Sequence, residues 1–234
     1  MEEKDIFNLV DEAVENEYFT DEEKDILLIF LKFAEKYYKN TNINKTLCEG
    51  ADMFLSLWLP ENIKKCMSYS PKAFISCINK VSFYANKHYG LNVSVRADMF
   101  VSMLERIADV NREFDRILNN PILSYEPFVI DLNRYKKKKN YEKRKNNSAA
   151  FSRDKGYYVV ADIFSGPSVV LRKMFTGEFI KVYIDKETAA RVRTNDILYI
   201  SVVQNPFFSW DITEMKKYFP PQAEKYINRK IRKY

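Results

Sequence analysis

GYYVVADIFSGPSVVLRKMFTGEFIKVYID, residues 156–185, decides the fold. Three runs rich in β-branched and aromatic residues are separated by two turns, Ser165-Gly166-Pro167 and Thr176-Gly177, where glycine frees the backbone. The pattern is two hairpins sharing their middle strand. Downstream, KETAARV (186–192) reads as a short helical turn, and DILYISVV (196–203) and FFSWDIT (207–213) supply two further strands. Five strands in so short a stretch cannot bury both faces of a flat sheet, so they predict a closed or nearly closed small barrel. A helical turn between the third and fourth strands is the order of an OB-type barrel and is also compatible with an SH3-like one; the sequence leaves both open. Pro220 and Pro221 then introduce a last helix, QAEKYINRKIRK (222–233), apolar at Ala223, Tyr226, Ile227 and Ile231.

Working back toward the N-terminus, the texture is helical. Ile6, Phe7, Val10, Ala13 and Val14 recur at helical spacing, predicting a helix over 3–17. Thr20 with Glu23 forms a capping box for a second helix ending near Tyr38, which buries Ile26, Leu27, Phe30, Phe33, Ala34 and Tyr37. Thr46 with Glu49 repeats that box and opens a third helix, through Phe54, Leu55 and Trp58, that Pro60 should stop. Ser70-Pro71 caps a fourth helix that ends near His88, with Gly90 placed for a left-handed turn. A fifth runs from about Ser94 to Leu118. The expected fold class is therefore α+β: an N-terminal all-α bundle over 1–120, a basic linker over 121–155, and a small five-stranded β-barrel, OB- or SH3-like, with a terminal helix over 156–234.

The 234 residues are 46% hydrophobic, ample for packed cores without staples. Cys48, Cys66 and Cys77 form no C-x-x-C pair and read as small buried apolar residues in a reducing, cytoplasmic setting. MEEKDIFNLV is acidic where a secretory signal is basic, and no apolar run approaches the roughly 18 residues of a membrane span, so no membrane is expected. The net charge of +6 is unevenly placed: residues 1–50 hold 13 acids against 6 bases, leaving +13 for the rest. Such segregation creates a field that attracts polyanions. The chain is also rich in Lys, Asn, Ile and Tyr, so part of its lysine is ordinary surface composition.

The densest charge is RYKKKKNYEKRK (134–145), with eight bases, one acid, and Tyr135 and Tyr141 interleaved. Burying so many unpaired cations would cost more than folding supplies, so the run is wet or bound. One reading is a solvated tether. The other is phosphate contact by Arg134, Lys136, Lys137, Lys138, Lys139, Lys143, Arg144 and Lys145, echoed by Arg229 and Lys230 in KYINRKIRK (225–233). Tyr157, Tyr158, Phe207, Phe208 and Trp210 lie on or beside predicted strands, where alternate ones must fill the barrel; any that were exposed would form a base-stacking platform.

Residues 25–95, with FLKF, INKT, DMFLSLWLP and AFISCINKVSFYANKHYGL, resemble the helical core-binding domain of tyrosine recombinases, a SAM-like bundle that embraces DNA. The resemblance implies a fold and a DNA-binding habit for this segment. It carries over no catalytic residues, because that family needs an arginine-and-histidine set with His-x-x-Arg and a nucleophilic tyrosine, whereas the one histidine here, His88, sits in HYGL. LRKMFTGEFIKV and NDILYISVV are similar to strands of small β-barrels in nucleic-acid-binding and translation-related proteins.

No catalytic chemistry is expected. Zinc needs about four Cys or His ligands, and three scattered cysteines with one histidine do not supply them. Nucleophilic catalysis would have to recruit His88, which is placed to cap or pack a helix end. The five glycines spell neither phosphate-binding loop. Glu22, Glu23 and Asp25 suit the positive end of a helix dipole. The expectation is a non-enzymatic protein without cofactor that binds DNA or RNA through phosphates. The alternative is a protein-binding adaptor in which the basic run is a tether, and an enzyme of unrecognised type comes third.

Overall fold

In the computed structural model the described residues are 5–39, 41–66, 68–93, 97–119, 152–164, 168–184, 186–204 and 210–231. By their contacts they form two compact units, one of residues 1–108 with 222–234, the other of residues 109–221. The architecture is α+β, helices first and a five-stranded barrel after them. The predicted linker falls largely outside the described residues. The sequence groups the terminal helix with the barrel, whereas by its contacts it belongs to the helical unit.

In the helical unit, α1 (Ile6–Asn16) is capped by Asp5, whose Oδ1 accepts from the Asn8 N–H at 3.0 Å. The capping box of α2 (Asp21–Tyr38) forms as its sequence predicts, with Thr20 and Glu23 exchanging bonds. Tyr37, expected in the core, is 43% exposed. Asn42, rather than Thr46, caps the next helix, accepting from the Lys45 N–H at 2.8 Å, while the Thr46 hydroxyl instead donates to the Asn42 carbonyl at 3.1 Å.

That helix, α3, does not stop at Pro60. α-Helical Ile43–Lys45, Ala51–Met53 and Leu59–Cys66 alternate with π-helical Thr46–Gly50 and Phe54–Trp58 in one unbroken run. Proline removes a donor and crowds the carbonyl four residues back. The wider π turn immediately before it relieves that crowding, and two side chains serve carbonyls near it: Ser56 Oγ donates to Asp52 O at 2.6 Å and Asn62 Nδ2 to Trp58 O at 2.8 Å.

Ser70 caps α4 (Pro71–Tyr89), and Gly90 takes the left-handed conformation, φ 62°, past its end. The last helix of the series is α5 (Ala97–Asn119). The core of the unit is aromatic. Phe54 meets Phe30, Phe33 and Trp58 at 5.3, 5.2 and 5.1 Å between ring centres, and Phe74 at 6.2 Å.

In the second unit β1 (Arg153–Ile163), β2 (Ser168–Lys173), β3 (Phe179–Tyr183), β4 (Ile197–Gln204) and β5 (Trp210–Phe219) close in the order β1-β2-β3-β5-β4, with α6 (Lys186–Arg191) between β3 and β4. Neighbours are antiparallel except β3 and β5, which meet in parallel at Val182 and Trp210. This order with its intervening helix is that of the OB-type barrel, which resolves the alternative the sequence left open. Along β4, Leu198, Ile200 and Val202 are buried inside while Tyr199, Ser201 and Val203 stay partly open, the period of two that a barrel wall requires. Register shifts in β1 and β5 supply the local bending that closure needs.

The start of β4 is pinned by Asp196, which is fully buried. Its carboxylate accepts from the Arg193 N–H at 2.7 Å and from the Tyr218 hydroxyl on β5, and its carbonyl accepts from the Val160 N–H at 2.8 Å. The polar turn ahead of DILYISVV thus ties three strands together, with Asn195 at φ 70° making the bend.

Candidate nucleic-acid interface

Strand alternation turns every second residue of β3 outward, and in FIKVY those are Phe179, Lys181 and Tyr183. Phe179 is 64% and Tyr183 47% exposed, and successive outward positions lie about 6.7 Å apart. Phe164, just past β1, and Phe175, in the turn between β2 and β3, are 45% and 49% exposed. These four are the exposed large apolar residues among the described residues of the barrel unit, and all belong to the β1-β2-β3 side. The Lys181 ammonium stands 5.3 Å from the Phe164 ring centre and 5.7 Å from that of Tyr183. Among the described residues no carboxylate lies within ion-pair distance of it. Arg172, half-buried, pairs in register with Phe179.

The arrangement offers aromatic faces with a cation held between them. It can stack flat, electron-rich rings and neutralise a nearby anion. Packing in the barrel does not account for it, because the inward set, including Tyr158, Leu171, Val182 and Tyr218, already fills the interior.

The aromatics named from sequence fare differently. Tyr158 is fully buried, its hydroxyl donating to Asp154 Oδ2 at 2.6 Å; burial and that neighbouring carboxylate both push its pKa up. Tyr157 is half-buried and stacked on Tyr199 at 4.5 Å. Trp210 is half-buried at the start of β5, and Phe207 and Phe208 lie outside the described residues. Phe164, Phe175, Phe179 and Tyr183 were missed. The signal was in EFIKVYI, where an aromatic-lysine-aromatic series occupies one parity of a predicted strand.

Of the predicted basic residues, Arg134, Lys136, Lys137, Lys138, Lys139, Lys143, Arg144 and Lys145 lie outside the described residues. Arg229 and Lys230 belong to α7 (Glu224–Ile231), where they meet acids of α3: Arg229 reaches Glu49 at 3.9 Å and Lys230 Nζ donates to Glu61 Oε1 at 3.0 Å. Beside them Lys225 pairs with Asp52 at 2.6 Å, and the Tyr226 hydroxyl donates to Asp52 Oδ2 at 2.7 Å. The basic face of this helix is thus engaged by its own unit.

Elsewhere, Glu23 does more than greet a helix dipole. It is buried, and accepts from Ser76 Oγ at 2.6 Å and Lys80 Nζ at 2.7 Å as well as from Thr20. Burial alone would raise its pKa, but these donors outweigh it and hold the carboxyl at about 2. Cys66 and Cys77 are buried as expected, and burial raises both thiols; Cys48 is exposed, a correction that follows from its place on the outer side of α3. His88 is exposed and stacks on Tyr84 at 4.3 Å. Among the described residues no three His, Cys, Asp or Glu side chains gather as a metal site, and no helix is long and apolar enough to cross a membrane.

Comparison with models of known protein families, with curated proteins and with solved structures finds no match to this chain.

Proposed function

We propose that this is a non-enzymatic protein that binds single-stranded DNA or RNA, stacking bases on the outer face of β2 and β3. The observation that carries the reading is the exposed series Phe179, Lys181, Tyr183, joined by Phe164. Stacking on such rings contributes about 1–3 kcal/mol per base and tolerates any sequence. OB-type barrels use this strand face and the loops after β1 and β4 for oligonucleotides. The run from Arg134 to Lys145 would add phosphate contacts, and Arg229 and Lys230 would have to exchange Glu49 and Glu61 for phosphates to join them. The likeness of residues 25–95 to a DNA-embracing domain points to the same class of partner. Three unpaired thiols suit the cytoplasm.

The test is a salt series of binding titrations with a labelled mixed-sequence single strand of about 12 nucleotides. Phe179→Ala/Tyr183→Ala should weaken binding at least tenfold at every salt concentration, with parallel slopes. Lys181→Gln should instead flatten the log-log slope by about 0.7. Absence of binding at low salt, or variants that superimpose on the parent, overturns the reading.

The adaptor reading has one observation in its favour. Tyr18 and Phe83 of the helical unit are 80% and 62% exposed, and Phe83 edges a shallow hollow of about 230 Å³ shared with Glu17, Asn79 and Lys80. An adaptor loses its protein partner in Tyr18→Ser/Phe83→Ser and is indifferent to Phe179→Ala.

A further inference from the structure

The barrel carries a second charged surface, on the opposite pairing of β1. The first half of β1 lies against β4, with Tyr157 opposite Tyr199 and Lys155 opposite Ser201, and β5 continues the sheet with Glu214 opposite Ser201 and Lys217 opposite Tyr199. A register shift in β5 brings Lys216 toward the same place. Lys155 and Lys216 thus lie on the same stretch of surface, Lys155 opposite Ser201 and Lys216 paired with the Glu214 that Ser201 bonds, and both residues are solvent-exposed. Glu214 is the carboxylate beside them, 3.2 Å from Lys216 Nζ and also accepting from Ser201 Oγ at 3.2 Å. Among the described residues no carboxylate lies within ion-pair distance of Lys155.

Neighbouring ammonium groups repel each other, and Lys216 lowers the pKa of Lys155. An anion seated between them removes that repulsion, and a phosphate oxygen accepts charge-assisted hydrogen bonds from both. The nearby rings do not make a base platform. Tyr157 and Tyr199 are stacked on each other at 4.5 Å, and Lys155 stands 5.7 Å from the Tyr199 ring centre. Tyr157 and Tyr199 are half-buried, whereas Phe179 and Tyr183 are exposed. This surface therefore offers positive charge with hydroxyls, and the β2-β3 surface offers rings.

We infer that Lys155 and Lys216 on the β1-β4-β5 surface grip the phosphate backbone of the same single strand whose bases stack on β2 and β3. This rests on the proposed function. β1 belongs to both surfaces, and Lys155 to Ile163 along it spans roughly 26 Å at about 3.3 Å per residue. A strand must have that reach to engage both, which places its length toward the upper part of the roughly 4–16 nucleotides that one OB-type barrel covers.

The experiment combines lysine acetylation footprinting with titration. A single strand of about 20 nucleotides should protect Lys155, Lys216 and Lys181 together, while one of about 5 nucleotides protects Lys181 alone. In titrations, Lys155→Gln/Lys216→Gln should lower affinity for the longer strand several-fold, flatten its slope by about 1.4, and leave the shorter strand unaffected. Both lysines are exposed, so the melting temperature of the variant should match the parent. Protection of Lys181 without Lys155 and Lys216, together with superimposed titrations for the longer strand, overturns this inference and keeps the proposed function. Protection of Lys155 and Lys216 without Lys181 supports the phosphate grip and overturns the stacking face.

Discussion

The helical unit and the barrel use aromatic residues in opposite ways. Phe30, Phe33, Phe54 and Phe74 interlock in the bundle, each almost wholly out of water, whereas Phe164, Phe175, Phe179 and Tyr183 stand outside the barrel. A helix of period 3.6 can gather several rings on one buried stripe. A strand sends every second residue outward, so the sequence must put something there, and lysine or threonine would be the inexpensive choice in free energy. Rings at those positions leave about half or more of their surface in water. Lys181 stands among rings, whereas Lys173 of the same barrel pairs with Asp154, as Lys80, Lys225 and Lys230 of the helical unit pair with carboxylates. The lesson is that one residue type builds the core of the first unit and part of the outer surface of the second.

The comparison breaks first if a bundle aromatic proves dispensable. Phe54→Ala should cost about 3–5 kcal/mol in urea unfolding monitored through the helical unit, the usual range for emptying a packed aromatic site. Nucleic-acid binding by the barrel, measured under conditions where the variant is folded, should be unchanged. A loss below 1 kcal/mol would mean that the ring cluster is not what holds the bundle.

Next in size is the buried carboxylate. Glu23 has a folded pKa of about 2 against 4.5 for the free side chain, so the stability it contributes is complete above about pH 4.5 and is lost as pH falls toward 2. The total is at most about 3 kcal/mol. Acid titration of unfolding free energy should show this decline in the parent and lack its Glu23 component in Glu23→Gln, which should already be less stable at pH 7.

The surface rings come third. Phe179→Ala should reduce affinity for a single strand by about 1–3 kcal/mol while changing the unfolding free energy by less than about 1 kcal/mol. A variant that loses stability and keeps its affinity would make Phe179 a structural residue, and the contrast between the units would disappear.

The smallest effects belong to the terminal helix. Tyr226→Phe removes a half-buried hydroxyl bonded to Asp52 Oδ2 and Glu49 O, worth about 1 kcal/mol. Arg229→Ala with Lys230→Ala removes exposed pairs and should cost less than about 1 kcal/mol. If that double variant also leaves the salt dependence of nucleic-acid binding untouched, the two residues belong to the clasp on α3 and not to the interface.

Much of this was legible in the chain. Thr20 with Glu23, and Ser70-Pro71 with Gly90, mark helix ends because capping is a contact within three or four residues, and the Gly177 turn and the period of two in DILYISVV are equally local. The helix through Pro60 was not legible. Proline's cost is local, but its relief came from a π turn whose extra width suits a helix packed on its neighbours, with Tyr38 lying against Gly50 at 3.4 Å from where a Cβ would be. Thr46 and Glu49 read as a capping box because the motif is local, yet Asn42 had begun the helix a turn earlier.

Sequence alone determined the class of each half, since periods of 3.6 and 2 follow from backbone geometry and the positions of apolar side chains. It determined that an aromatic-lysine-aromatic series would share one face of β3. Only the tertiary structure decided which way that face pointed, because inward and outward parity depends on how five strands close into a ring. It also decided that the bases of the terminal helix meet Glu49, Asp52 and Glu61, residues more than 160 positions away in the chain. Ion pairing and burial are properties of distance in space, and no local pattern encodes which distant carboxylate a lysine will find.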